Sequence, residues 1–159
     1  LGTMAKMEAH ERGLLHRAFS IFLFNARGEL LLHQRAHSKY HSGGLWTNTC
    51  CSHPREGESV EEAAHRRLQE EMGMEASMER AFHFIYRAEL DHDLIEHELD
   101  HVLTGVTDAE PRINPDEVAA YRYVGLDELS AEMAAHPERF TAWFRICFPE
   151  VMARATRTT

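Results

Sequence analysis

The stretch Glu58-Ser59-Val60-Glu61-Glu62-Ala63-Ala64-His65-Arg66-Arg67-Leu68-Gln69-Glu70-Glu71-Met72-Gly73 reads as one amphipathic helix with a marked end. Val60, Ala63, Ala64, Leu68 and Met72 recur near helical spacing, which gives the helix an apolar face. Gly73 stands where a left-handed residue closes such a helix. Glu58, Glu62, Glu70 and Glu71 recur at intervals that bring several onto one flank. A carboxylate cluster of that kind can hold Mg²⁺ against substrate phosphates. The same charges also describe a solvated face laced by pairs such as Glu62–Arg66.

Working outward, the residues before the helix are extended or turning. His16 to Asn25 is rich in Phe, Ile and Leu and reads as a buried strand. Glu29 to Arg35 reads as its hairpin partner, Ala36 to Gly44 as a polar loop and Leu45 to Thr49 as a short β stretch. Met4 to Leu15 reads as a short helix or irregular arm. After the helix, Ser77 to Leu90 and Leu94 to Val106 read as two strands joined by a turn at Asp91 to Asp93. Glu117 to Val124 is a further strand. Leu126 to His136 is a helix with Asp127 as its cap, and Phe140 to Phe148 a last amphipathic helix. The tail from Met152 is polar and expected to fray. Strands mixed with helices in this order predict an α/β or α+β fold, a mixed sheet between helices, with 1–159 as a single domain.

Composition narrows the function. A formal net charge of −9 argues against a nucleic-acid groove as the main surface. The apolar runs are too short to span a bilayer. Without a signal-peptide pattern at the front, the expected location is the cytoplasm. Cys50, Cys51 and Cys147 are an odd set with two neighbours, so no disulfide framework is implied.

The chemistry concentrates in Trp46-Thr47-Asn48-Thr49-Cys50-Cys51-Ser52-His53-Pro54, which sets a thiol two residues from an imidazole. On an extended segment, Cys51 and His53 point to one side and Cys50 to the other. Glu96 and Glu98 share a face of a later strand, and His10 and His16 lie upstream. A His/carboxylate set suits Zn, Mn or Mg-like ions. On spacing alone, His10 and His16 read equally well as surface residues. Lys6, Arg35, Lys39 and Arg67 fall beside these motifs and could converge on phosphate.

Glu58, Arg66, Leu68, Glu70, Glu71 and Gly73 match most of the Nudix box. Ser52 stands where the first Gly of that pattern belongs, and Arg67 replaces the first Glu of its Arg-Glu pair. The diphosphate hydrolases of the superfamily rely on that Glu. The same departure occurs in the type 1 isopentenyl-diphosphate isomerases, which the chain resembles from about Gly2 to Phe148. The likeness is carried by His10 to Ser20, Trp46 to Pro54, Tyr86-Arg87-Ala88, Glu96-His97-Glu98 and Thr141-Ala142-Trp143-Phe144.

The resemblance implies interconversion of isopentenyl and dimethylallyl diphosphate through a tertiary carbocation. It implies one Zn²⁺ or Mn²⁺ on His10, His16, His53, Glu96 and Glu98, and Mg²⁺ on Glu71 with the substrate diphosphate. Cys51 and Glu98 would move protons, with Tyr86 beside Glu98 and the π face of Trp143 toward the cation. Lys6, Arg35, Lys39 and Arg67 would grip the diphosphate. The implied partner is a small isoprenoid diphosphate, with no nucleic acid or membrane, and the protein a monomer or weak dimer. Two rivals stand beside this reading: a Nudix diphosphate hydrolase, and a zinc-stabilised binding module that is not an enzyme.

Overall fold

The computed structural model describes residues 16–90 and 93–157, with the side chains of 96, 156 and 157 outside that description. Among the described residues seven strands form one sheet: β1 (His16–Phe24), β2 (Leu30–Arg35), β3 (Trp46–Thr47), β4 (Cys50–Ser52), β5 (Glu79–Glu89), β6 (Ile95–Val106) and β7 (Val118–Val124). Among the described residues three α-helices accompany it: α1 (Val60–Met72), α2 (Leu126–Ala135) and α3 (Ala142–Arg157). The central order is β3-β2-β1-β6-β5, with β4 on β1 and β7 on β2. β1 and β6 run parallel while the other pairs are antiparallel, so the sheet is mixed, as expected.

Side-chain alternation divides each strand between two cores. Phe19, Ile21, Leu23, Leu31, Cys50 and Leu103 pack with Val60, Ala64, Leu68 and Met72 of α1. Phe22, Leu30, Leu32 and Val102 pack on the other face with Leu129 of α2 and Phe144, Cys147 and Phe148 of α3. The sheet is therefore covered by helices on both sides. Among the described residues no helix is long and apolar enough to cross a membrane.

α1 starts with a capping box between Ser59 and Glu62 and ends on Gly73 at φ 62°. A Cβ at Gly73 would stand 2.6 Å from the Arg112 carbonyl oxygen, so space and backbone angle both require glycine. Glu58, just outside the helix, takes a two-pronged ion pair from Arg66 and a bond from the Arg55 N–H. These hold its carboxyl down at about 2.

Four details depart from the sequence reading. The β1–β2 hairpin closes only at Phe24↔Leu30 and then splays. Residues 48–52 fill the opening, with β4 paired to β1. Thr49 Oγ1 accepts from Leu23 N–H and donates to Leu31 O, and His33 Nδ1–H donates to Thr49 O, which stitches the splayed strands together. The short β stretch expected over Leu45 to Thr49 is accordingly shorter, Trp46–Thr47 alone, and a second strand, Cys50–Ser52, follows it. Asp127 does not cap α2; Gly125 occupies that position without a side-chain bond. The tail from Met152 is helical through Arg157, because Val151 and Met152 still face the second core.

Candidate active site and metal centre

The splay between β1 and β2 leaves room at one end of the sheet, and three strands deliver polar side chains there. His16 opens β1 and is the register partner of Glu98 on parallel β6. His53 follows β4 directly. The three side chains converge: His53 Nε2 is 2.7 Å from Glu98 Oε2, His16 Nε2 is 3.2 Å from the same oxygen, and the two imidazole nitrogens are 3.1 Å apart. Burial alone would push the Glu98 carboxyl up, yet hydrogen bonds from His16 and His53 hold it below the usual carboxylate range. Three N/O donors aimed at one point fit a divalent ion of the Zn or Mn type.

Cys51 lies beside this triad. Cys51, Glu98, His53, Asp100, Trp143, Arg35 and His41 line one cavity of about 30 Å³, room for a single water. Trp143 Nε1–H donates to Cys51 Sγ at 3.0 Å. Burial, then the Asp100 carboxylate, push the Cys51 thiol up to about 12 against the pull of Arg35 and the indole N–H. Cys50 points the other way, as pleating requires, into the α1 core with no exposed surface. Arg35 lays its guanidinium over the Trp143 ring, 5.2 Å from the centroid, and donates to His41 O. Tyr86 is buried on β5 as the register partner of Glu98.

A second charged cluster flanks α1. Arg67 donates to Glu70 and Glu71 on its own helix and to Glu117 at the start of β7. Lys39 Nζ reaches Glu117 Oε1 at 3.2 Å. Burial leaves the Glu71 carboxyl raised despite Arg67. Burial also opposes ionisation of Glu117, but Arg67 and Lys39 hold it down at about 2. The anticipated Mg²⁺ ligand and two anticipated phosphate cations thus meet, joined through Glu117. Burial, then the Glu71 carboxylate, raises the Cys50 thiol, and the same carboxylate also pushes the Cys51 thiol up.

Of the anticipated residues, Lys6 and His10 lie outside the described residues, as does the Glu96 side chain. The others fall into the two groups just given, apart from Tyr86. Asn48, Asp100 and Glu117 had not been singled out. Asp100 follows Glu98 by two on one strand, so alternation alone put it on the same face. Asn48 sat inside the quoted cysteine segment. Glu117 carried no motif.

A family model for the NUDIX domain matches residues 14–144. A protein of Pectobacterium atrosepticum named isopentenyl-diphosphate Delta-isomerase is 56% identical, over 94% of this chain and 84% of its own length. One of the same name from Serratia proteamaculans is 51% identical over 91% of this chain and 80% of its own. Among solved structures, the MutT protein of Methanosarcina mazei is 21% identical with a TM-score of 0.70, covering 91% of this chain and 94% of that one. A MutT NUDIX hydrolase of Burkholderia pseudomallei is 22% identical with a TM-score of 0.69, covering 86% and 98%. At that identity the two structures speak for the fold alone.

Proposed function

The chain belongs to the NUDIX domain family and, within it, to the isopentenyl-diphosphate Delta-isomerases, and from that premise we propose how its residues move the double bond. The reaction interconverts isopentenyl diphosphate and dimethylallyl diphosphate: one carbon gains a proton, another loses one, and a tertiary carbocation lies between. The observation that carries the assignment of roles is that the Cys51 thiol and the Glu98 carboxylate, from two different strands, wall the same small cavity. One of the pair delivers the proton and the other removes one, and their roles exchange with direction. Glu98 enters as the carboxylate, given the two imidazoles against it. Cys51 enters as the thiol, given its burial and the carboxylate of Asp100.

His16, His53 and Glu98 would hold Zn²⁺ or Mn²⁺, with His10 and Glu96 as the two further ligands. When bound, such an ion supplies positive charge that fixes the Glu98 carboxylate and raises the acidity of what it touches. The Trp143 ring, which lines the cavity, excludes water that would trap a carbocation, and its π face stabilises the cation by about 2 kcal/mol. Tyr86 stands opposite Glu98 to steady its proton transfer.

Lys6, Arg35, Lys39 and Arg67 are the cations for the diphosphate, with Mg²⁺ on Glu71. Lys39 and Arg67 already bond carboxylates, so an incoming diphosphate exchanges one set of anionic partners for another. A guanidinium at position 67 cannot act as the base that directs water at phosphorus, which separates this chemistry from diphosphate hydrolysis. Residues 1–159 would work as one cytoplasmic domain, a monomer or weak dimer without nucleic-acid or membrane partners.

Proton NMR of isopentenyl diphosphate in D₂O with the protein and divalent metals tests this. Growth of dimethylallyl signals with deuterium uptake is expected, and Cys51→Ala should lose it by roughly 10²-fold or more while keeping the fold. Release of inorganic phosphate in place of isomerised product would overturn the proposal.

A further inference from the structure

Cys51 is held by more than its backbone. Asn48, three residues earlier, has no exposed surface, and both polar ends of its carboxamide are committed. Its Nδ2 donates to Ile21 O and to Cys50 O, each at 2.9 Å. Those two carbonyls fix which way the amide faces, because a flipped amide would set oxygen against oxygen. Oδ1 can then only accept, and it accepts twice: from Cys51 Sγ–H at 3.2 Å and from Thr47 Oγ1 at 2.8 Å. The Thr47 hydroxyl in turn accepts from Thr141 Oγ1 at 2.9 Å, and Thr141 stands one residue before α3. Thr47 and Thr141 are as fully buried as Asn48. From α3 itself, the Trp143 indole N–H donates into the same sulfur.

Resting on the isomerase reading above, we infer that Asn48 is a positioning residue whose locked carboxamide oxygen aims the Cys51 S–H bond, with Thr47 and Thr141 tying that aim to the helix that carries Trp143. A thiol hydrogen on a lone Cβ–Sγ bond turns among three staggered wells. Here Asn48 Oδ1 is the nearer acceptor at 3.2 Å, the Thr47 hydroxyl standing 3.9 Å from the sulfur with its own hydrogen given to Oδ1, while the indole N–H donates to the sulfur. The sulfur therefore stands ready in one orientation, and its proton reaches the hydrocarbon by a single rotation away from Asn48. Misalignment of a reacting group by about 1 Å can cost 10²-fold in rate, so removing the acceptor should slow the chemistry and leave the diphosphate handle untouched.

The S–H stretching band of the full chain without substrate reads the bond directly. Cys51→Ala identifies the Cys51 component, since Cys50 and Cys147 also carry thiols. Thr47→Val is nearly isosteric and removes the donor that competes for Oδ1. It should strengthen the remaining hydrogen bond from S–H to Oδ1 and so lower the Cys51 stretching frequency. Asn48→Ala should move the same band the other way, to higher frequency, with kcat down roughly ten- to a hundredfold and KM within about twofold of the original. A band that stays in place, or moves in the same direction in both variants, overturns the inference. So does an Asn48→Ala protein with unchanged kcat, or one whose loss lies in KM. Should Asn48→Ala fail to fold, the Thr47→Val band decides alone. The band is independent of turnover: an original chain that does not isomerise would refute the isomerase reading, while the band still judges the positioning.

Discussion

Two charged clusters lie near β4, one around Glu98 and one around Arg67, and they are built on opposite plans. His16, His53 and Glu98 bring two neutral-capable imidazoles and one carboxylate to a point. Glu70, Glu71 and Glu117 gather carboxylates, but Arg67 and Lys39 already neutralise them. The first cluster has donors that favour a cation from outside. The second carries cations of its own, and the key one is Arg67, standing where the Nudix pattern has glutamate. The first is thus suited to hold a catalytic ion beside the hydrocarbon. The other is suited to exchange carboxylates for the phosphates of a substrate.

The sharpest way to break this contrast is Glu98→Gln. The amide cannot complete the donor set or take a proton, so isomerisation should fall about a thousandfold and bound metal should drop, with the circular dichroism unchanged. Turnover near the original level would end the contrast. Next in size, Arg67→Gln leaves Glu70, Glu71 and Glu117 without their shared cation. Urea unfolding should show a loss of about 3 kcal/mol, partly restored by millimolar Mg²⁺, because an added ion replaces the missing guanidinium. An equal effect of Mg²⁺ on the original chain would show that Arg67 is not what occupies the site.

The smallest effect concerns acid. Glu117 has its folded value lowered to about 2 from the usual 4.5. Its contribution is therefore fully present above pH 4.5 and lost as pH falls toward 2, amounting to about 2 kcal/mol after discount for solvent screening of this partly exposed group. Glu117→Gln should lower stability by about that amount above pH 5 and flatten the profile between pH 4.5 and 2. A variant with the original acid sensitivity would mean that other carboxylates set it.

Periodicity made most of the architecture legible. The α1 face, its glycine end and the alternation that separates Cys50 from Cys51 follow from spacing of 3.6 and 2, which are local properties. The splay of β1 from β2 was not legible, since it depends on Thr49 and His33 bridging strands that no local pattern relates. Asp127 looked like a cap because Asp often is one, but the capping position lies two residues earlier, at Gly125, and Asp127 sits inside the first turn. At the site, residues with unusual chemistry could be found by type. Asn48, Asp100 and Glu117 could not, because ordinary polar residues gain meaning only from what folding sets against them.

One pairing has a consequence for how the molecule comes together. β1 and β6 are joined in parallel across about eighty residues of sequence, as the Ser20–Asp100 bond marks. Contacts so distant along the chain close late and slowly. The ion-binding point at His16 and Glu98 is born with that closure, so bound metal should chiefly slow unfolding rather than speed folding, and chelation should shorten the lifetime of the native state.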